Sequence, residues 1–271
     1  MIYYFSGTGN SLYVARHLAD ALGDRLCPMT FASPSDDEVI GLVFPVYGWG
    51  IPNVVEAFVR SYKASLLGQS SVRSGVTGED SARQSRERLD GSRYLYAVMT
   101  CGDDMGYTDK VLEKALGRKL DAAFSVLMPD VYVCLPGFDV DSREECREKF
   151  HKEEEAIKDI VRNVTERNRV RHLVRGGFPW AKTYILRPLF NRFLLTDKYF
   201  HVDVSKCVAC GRCQKMCPVG NILLVDDVPQ WQSHCAGCLA CYHACPHHAI
   251  NFGRMTQKKG QYNLLRMKNE E

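Results

Sequence analysis

Two four-cysteine runs, each closed by a proline, constrain what this chain can fold into more than anything else in it. Cys207, Cys210, Cys213 and Cys217 precede Pro218, and Cys235, Cys238, Cys241 and Cys245 precede Pro246. Both read C-x2-C-x2-C-x3-C-P, the spacing that wraps a [4Fe–4S] cubane with three ligands for one cube and the fourth for its neighbour. The expected ligand sets are therefore crossed. Cys207, Cys210 and Cys213 join Cys245, and Cys235, Cys238 and Cys241 join Cys217. Each proline fixes φ and turns the chain away from the cube. Zinc usually pairs two C-x2-C knuckles across a longer gap, to which the third cysteine of each run is surplus. Disulfides would need an oxidising compartment. A unit from about Tyr199 to Gly253 is too small to build much core, so its clusters must hold it together, as bound metal does in other small domains. Short strands are expected at Phe200–Val204, Ile222–Val225 and Ile250–Phe252. The polar, basic tail that follows is expected to fray.

The front half carries a different signal. Met1–Phe5 reads as a short buried strand. Ser6-Gly7-Thr8-Gly9-Asn10-Ser11 follows at once, and Leu12, Ala15, Leu18, Ala19 and Leu22 then recur at helical period. Strand, small hydroxyl-rich loop and helix form the layout of an anion site, because a helix N-terminus offers free N–H groups and a positive dipole end. Gly7 and Gly9 let the backbone curl. The dinucleotide fingerprint would need a third glycine where Leu12 stands, and a P-loop would need a lysine. A loop without a basic side chain suits a monophosphate held by hydrogen bonds.

Strands and helices continue to alternate. Gly23–Met29 holds a short strand, with further strands at Ile40–Phe44, Tyr94–Thr100 and Ala123–Met128. Helices are expected over Asn53–Leu67 and Val111–Leu120. This order predicts a parallel sheet covered on both faces, with ligands at the carboxyl ends of the strands. Two further loops converge there: Pro45-Val46-Tyr47-Gly48-Trp49, running on to Pro52, and Thr100-Cys101-Gly102-Asp103, running through Asp104 and Met105 to Gly106 and Tyr107.

Ser6–Ser11 resembles the phosphate loop of flavodoxins, and the other two loops resemble their second and third flavin loops. With the cysteine runs, the whole chain resembles the fused flavodoxin–ferredoxin family of anaerobic bacteria. The resemblance implies an FMN domain over residues 1–150 with a five-stranded doubly wound sheet, a basic helical connector over 151–198, and a two-cluster α+β ferredoxin domain with a polar tail over 199–271. It implies that Ser6, Thr8, Asn10 and Ser11 hold the FMN phosphate and that Tyr47 and Trp49 lie along the isoalloxazine ring. The third loop would offer backbone N–H groups to the ring edge, with Cys101 a neighbour that reads as a buried inert thiol. Cys27, Cys134 and Cys146 read as ordinary free cysteines. No catalytic residue is assigned, since Asp103, Asp104 and Tyr107, the candidates in these loops, read first as caps and surface acids.

Charge is uneven. Residues 1–150 carry sixteen Lys/Arg against twenty-one Asp/Glu, whereas 162–198 carry nine against two, interleaved with large apolar groups. That basic segment is expected to cover the ferredoxin module or to form a docking face, for an acidic redox protein or less readily an anionic membrane, since Pro179 and Pro188 should interrupt an amphipathic helix there. A long helix is expected over Ser142–Arg169 and a mobile surface loop over 67–92. No secretory leader and no apolar stretch of about 18 residues is visible, so a cytoplasmic protein is expected, with no transmembrane segment. No nucleic-acid partner is expected. The expected function is electron transfer between two [4Fe–4S] clusters and FMN with a redox protein partner. The competing readings are a flavin-dependent reductase of a small organic acceptor and a redox-sensing module.

Overall fold

The computed structural model describes residues 1–32, 35–66, 93–262 and 264, so the expected loop over 67–92 lies outside the described residues. Ile2–Tyr4 (β1), Asn10–Leu22 (α1), Leu26–Pro28 (β2), Val39–Pro45 (β3), Asn53–Leu66 (α2), Tyr94–Cys101 (β4), Thr108–Leu116 (α3), Ala122–Leu127 (β5) and Arg143–Thr165 (α4) follow in order. All five strands pair in parallel, in the order β2-β1-β3-β4-β5. This is the flavodoxin-like doubly wound order, with its switch point between β1 and β3.

The five expected strands are present, and a sixth, Arg171–His172 (β6), adds to β5 as a parallel edge. Two residues are too few to carry a hydrophobic period, so no local pattern marks this strand. Strand side chains alternate between faces. Leu42, Phe44, Leu95 and Met99 pack with Val55, Val59, Leu112 and Leu116 of α2 and α3. Val43, Tyr96 and Val98 pack with Val14 and Leu18 of α1 and Ile157 and Ile160 of α4. A capping box fixes the start of α4: Glu145 N–H donates to Ser142 Oγ at 3.3 Å, and Ser142 N–H donates to Glu145 Oε2 at 2.8 Å. The helix ends four residues short of the expected Arg169, because Arg167 enters the left-handed region at φ 54°. Residue 150 lies inside α4, and the helix's buried stripe continues on the sheet to Val164, so the first structural unit extends past that boundary.

After β6 the connector forms one helical run, 179–193 (α5). It joins Pro179–Ala181, a wide π-type turn at Lys182–Leu186 and Arg187–Phe193. Neither proline ends the run, although the α-helical pattern is broken by the π-type turn just before Pro188. Pro179 stands in the first turn, where no N–H is required. Before Pro188 the turn widens, with Arg187 N–H reaching back to Lys182 O, which relieves the contact a proline ring makes with the preceding turn.

The C-terminal unit pairs Phe200–Val202 (β7) with Ile250–Phe252 (β10) and Ile222–Val225 (β8) with Val228–Trp231 (β9), both antiparallel. The short helices Arg212–Met216 (α6) and Ala240–Ala244 (α7) carry cysteines of the two runs. The sequence reading missed β9, because Pro229 argues against a strand interior; in a two-stranded ribbon both strands are edges, where proline is tolerated. Asp226 and Asp227, at φ 48° and 62°, make the hairpin turn.

The two units share a core. Val133 and Cys134, from the loop after β5, are buried with Phe200, Leu239, Tyr242 and Phe252. His243 Nε2 donates to Val131 O at 2.8 Å, while its Nδ1 accepts from Tyr262 N–H at 3.0 Å. Protonation would place a second donor against that N–H. Burial meanwhile lowers the imidazole to about 4, so the ring stays neutral. The segment expected to fray is docked as far as Tyr262. The Tyr262 hydroxyl donates to Asn10 Oδ1 at 2.7 Å, and Lys259 Nζ donates to Val133 O at 2.8 Å. Buried partners in the first unit, invisible to composition, hold it in place.

The basic connector is largely neutralised by the acidic first unit. Arg175 grips Asp109 with two bonds of 2.9 Å, Asp109 being wholly buried, and Arg171 Nη2 meets Glu113 Oε1 at 2.6 Å. Both arginines are held in ion pairs with the first unit. Removing the main partner of a buried carboxylate costs about 3–5 kcal/mol. Arg171 still stands 3.7 Å from Asp109, so Arg175→Gln is expected to cost less, about 2 kcal/mol. Urea denaturation of the anaerobic holoprotein measures this, and a loss under about 0.5 kcal/mol, the size of an ordinary surface change, contradicts it.

Candidate functional site

The crossed cysteine sets are each brought together. Cys207, Cys210, Cys213 and Cys245 line one small cleft. Cys238, Cys235 and Cys217 act electrostatically on the buried Cys241. Backbone amides point at the sulfurs: Asn221 N–H at Cys217 Sγ, 3.2 Å, Gly237 N–H at Cys235 Sγ, 3.3 Å, and Ala249 N–H at Cys245 Sγ, 3.2 Å. Among the described residues no group of three or more His, Cys, Asp or Glu closes on a single metal ion. Burial pushes the Cys235 thiol up to about 11 and the Cys238 thiol to about 12. The two sets differ in position. Cys210 of the first is exposed, whereas in the second Cys241 is buried and Cys217, Cys235 and Cys238 are half-buried.

A cavity of about 360 Å³ opens at the carboxyl ends of β1, β3 and β4. It is lined by Ser6, Gly7, Thr8, Asn10, Ser11, Pro45, Val46, Tyr47, Gly48, Trp49, Thr100, Cys101, Gly102 and Asp103. The expected site residues Gly9, Gly106 and Tyr107 do not reach it. Gly9 precedes α1 at φ 105° beside Leu264. Gly106 packs on Thr183, and the Tyr107 ring lies under Arg175 at 4.8 Å. Sequence reasoning missed a further wall from the loop after β5, including Pro129, Asp130 and Tyr132, and contributions from Lys182, Phe190, Cys238 and Leu239. The Pro129-Asp130 strand end was the available signal for the first of these. Nothing local marked the others, which arrive from distant sequence.

The phosphate-type loop keeps free groups. The first bond of α1 runs from Tyr13 N–H to Gly9 O, and no side chain caps the amides before it. Ser6 Oγ is buried without a partner. Asn10 is already engaged, its Nδ2 donating to Pro129 O at 2.9 Å and its Oδ1 accepting from Tyr262, so its backbone N–H is what remains for an anion. The Ser11 and Thr100 hydroxyls bond each other at 2.8 Å. Asp104 Oδ1 is also buried without a partner, while its Oδ2 holds Lys182 Nζ at 2.5 Å. Burial, then Asp104 and Asp103, push the Cys101 thiol up to about 12, so it is an inert lining group.

The cavity and the second cysteine set share a wall. A Cβ placed on Gly7 would stand 2.5 Å from Cys238 Cβ and 2.8 Å from the Tyr47 hydroxyl. Burial, and next the Cys238 and Cys235 thiols, hold the Tyr47 phenol well above its ordinary pKa. The strap α5 closes the other side. Phe190 lies where a Cβ on Gly48 would stand, at 2.5 Å, and Thr183 Oγ1 donates to Trp49 O at 3.1 Å.

Residues 206–250 match the model of the 4Fe-4S dicluster domain. An uncharacterized ferredoxin of Methanocaldococcus jannaschii is 33% identical over 67 residues, covering 23% of this chain and 87% of that protein. A ferredoxin of Mycolicibacterium smegmatis is 51% identical over 37 residues, 13% of this chain and 33% of that protein. Among solved structures, rubredoxin oxygen:oxidoreductase from the anaerobe Desulfovibrio gigas aligns at TM-score 0.34 and 14% identity, over 61% of this chain and 36% of its own length. The Trp repressor binding protein from Bacillus subtilis aligns at TM-score 0.34 and 10% identity, over 60% of this chain and 96% of its own. The fold assignment rests on the strand order.

Gly7→Ala is expected to wedge the two units apart and to cost about 1–3 kcal/mol, as overpacking does. Gly177→Ala is the control, since nothing stands within 4 Å of a Cβ there. Urea denaturation of both holoproteins reads the difference, and equal midpoints contradict the contact.

Proposed function

The chain belongs, through residues 206–250, to the 4Fe-4S dicluster ferredoxins, and on that premise we propose that it is an electron-transfer flavoprotein with two [4Fe–4S] clusters and one FMN. The observation that carries the flavin half is the cavity at the switch point of a flavodoxin-ordered sheet, with Cys238 in its wall. When bound, each cluster carries one electron and the flavin up to two. Cys207, Cys210, Cys213 and Cys245 would hold the outer cluster, and Cys217, Cys235, Cys238 and Cys241 the one beside the cavity. The amides opening α1, with Ser6 and Thr8, would hold the phosphate. Asp104 Oδ1 would accept from the imide N–H of the ring, and Tyr47 and Trp49 would contact its plane. An exposed cysteine in the outer set and a cavity-lining cysteine in the inner set support a one-electron partner outside and a flavin within.

The reductase reading has less support. Of its three candidate groups Tyr107 lies outside the cavity and Asp104 is paired with Lys182, which leaves Asp103 in the cavity wall. A 360 Å³ cavity is near the lower end for ligand sites.

Anaerobically prepared protein is expected to contain about eight iron atoms and about one FMN per chain. Stoichiometric zinc with little iron contradicts the cluster half. Thr8→Asp is expected to abolish FMN binding with iron content unchanged, because a carboxylate at a helix N-terminal anion site repels the phosphate directly. Flavin titration followed by fluorescence measures this, and retained tight binding places the phosphate elsewhere.

A further inference from the structure

The strap α5 has two faces. Lys182, Thr183, Arg187 and Phe190 turn inward, to the cavity and its loops. The outward face is apolar and exposed: Phe178 at 86%, Trp180 at 59%, Leu189 at 52% and Phe193 at 52%, with Tyr184 and Ile185 between them. Monomeric proteins rarely leave so continuous an apolar face in water. The backbone of the run is bonded within the helix, so the face can leave water without stranding polar groups.

Charge decides what covers it. From residue 167 to 196 there is no Asp or Glu, against seven Lys/Arg. Arg171, Arg175 and Lys182 are held by acids of the first unit. Arg192 is left exposed at the edge of the apolar face, over the Phe193 ring at 5.7 Å, with exposed Lys198 beyond it. A second copy would set cation against cation. An anionic bilayer offers apolar chains to the aromatic residues and phosphates to the flanking cations. Large aromatics on one face and cations at the rim form the pattern of a helix lying in a membrane interface. Among the described residues no helix can span a membrane, and the two prolines that argued against a continuous interfacial helix are accommodated within α5.

We propose that the outward face of α5 docks the chain peripherally on an anionic lipid surface, with Phe178, Trp180 and Leu189 inserted. Because the inward face of the same helix walls the cavity, docking holds that cavity within about 10 Å, one helix diameter, of the lipid. The proposal goes beyond the electron-transfer reading and rests only on the strap's surface.

The test is co-sedimentation of the anaerobic holoprotein with vesicles of equal parts phosphatidylcholine and phosphatidylglycerol, alongside sedimentation equilibrium without lipid. The wild type is expected to pellet with the vesicles and to remain monomeric without them. The triple variant Phe178→Ser, Trp180→Ser, Leu189→Ser alters exposed groups only and is expected to keep its cofactors and circular dichroism. Its vesicle partitioning is expected to fall at least about tenfold, since three inserted apolar side chains are lost. Wild type that stays in the supernatant overturns the proposal, as does a variant that partitions equally. Concentration-dependent dimerisation that the variant abolishes identifies a second copy as the occupant instead and also overturns it.

Discussion

Everything distinctive in this molecule depends on one close approach, that of Gly7 in the first strand-to-helix loop to Cys238 in the second cysteine run. A Cβ at Gly7 would lie 2.5 Å from that of Cys238, so any other residue would hold the two units apart. The contact gives the cavity a wall made from a residue of the second cysteine run. It also explains why the two units are joined by buried groups and not by a linker alone. Val133 and Cys134 share a core with the C-terminal unit, and Tyr262 ties Asn10 to His243. In the proposed reading, a cluster and a flavin whose sites share a side chain would need no intervening carrier.

The connector completes this arrangement by electrostatics and shape. Its arginines seek the acids of the first unit, most fully at the buried Asp109. That pairing anchors the strap over the second and third loops, where Gly48 and Gly106 leave room for Phe190 and Thr183. The charge asymmetry of the chain is thus mostly internal, an acidic sheet domain gripped by a basic strap. What remains outside is the apolar face of α5 with Arg192 at its edge.

Much of this was legible in the sequence, and the limits have physical causes. The parallel sheet follows from the alternation of strand and helix, and the glycine-rich loop and the two cysteine runs are read directly from local spacing. Gly106 and Tyr107 were expected at the cavity because the third loop converges there. The strap draws them away, since Thr183 bonds Tyr107 N–H and Arg175 covers its ring. Arg171 and Arg175 look like surface cations until Asp109 and Glu113, some sixty residues earlier, are seen beside them. Tyr262 and Lys259 read as a loose tail because their partners lie more than a hundred residues away. Long-range polar pairing leaves no period or spacing to read.

The central claim is that the cluster held by Cys217, Cys235, Cys238 and Cys241 abuts the flavin cavity while the other cluster does not. The direct measurement is the electron paramagnetic resonance of the dithionite-reduced, iron-loaded chain before and after FMN is added. Cys217→Ser and Cys245→Ser variants assign the two signals. The account predicts that FMN alters the signal lost in Cys217→Ser and leaves the other unchanged. Two signals indifferent to FMN, or a response confined to the cluster that Cys245 completes, would contradict it.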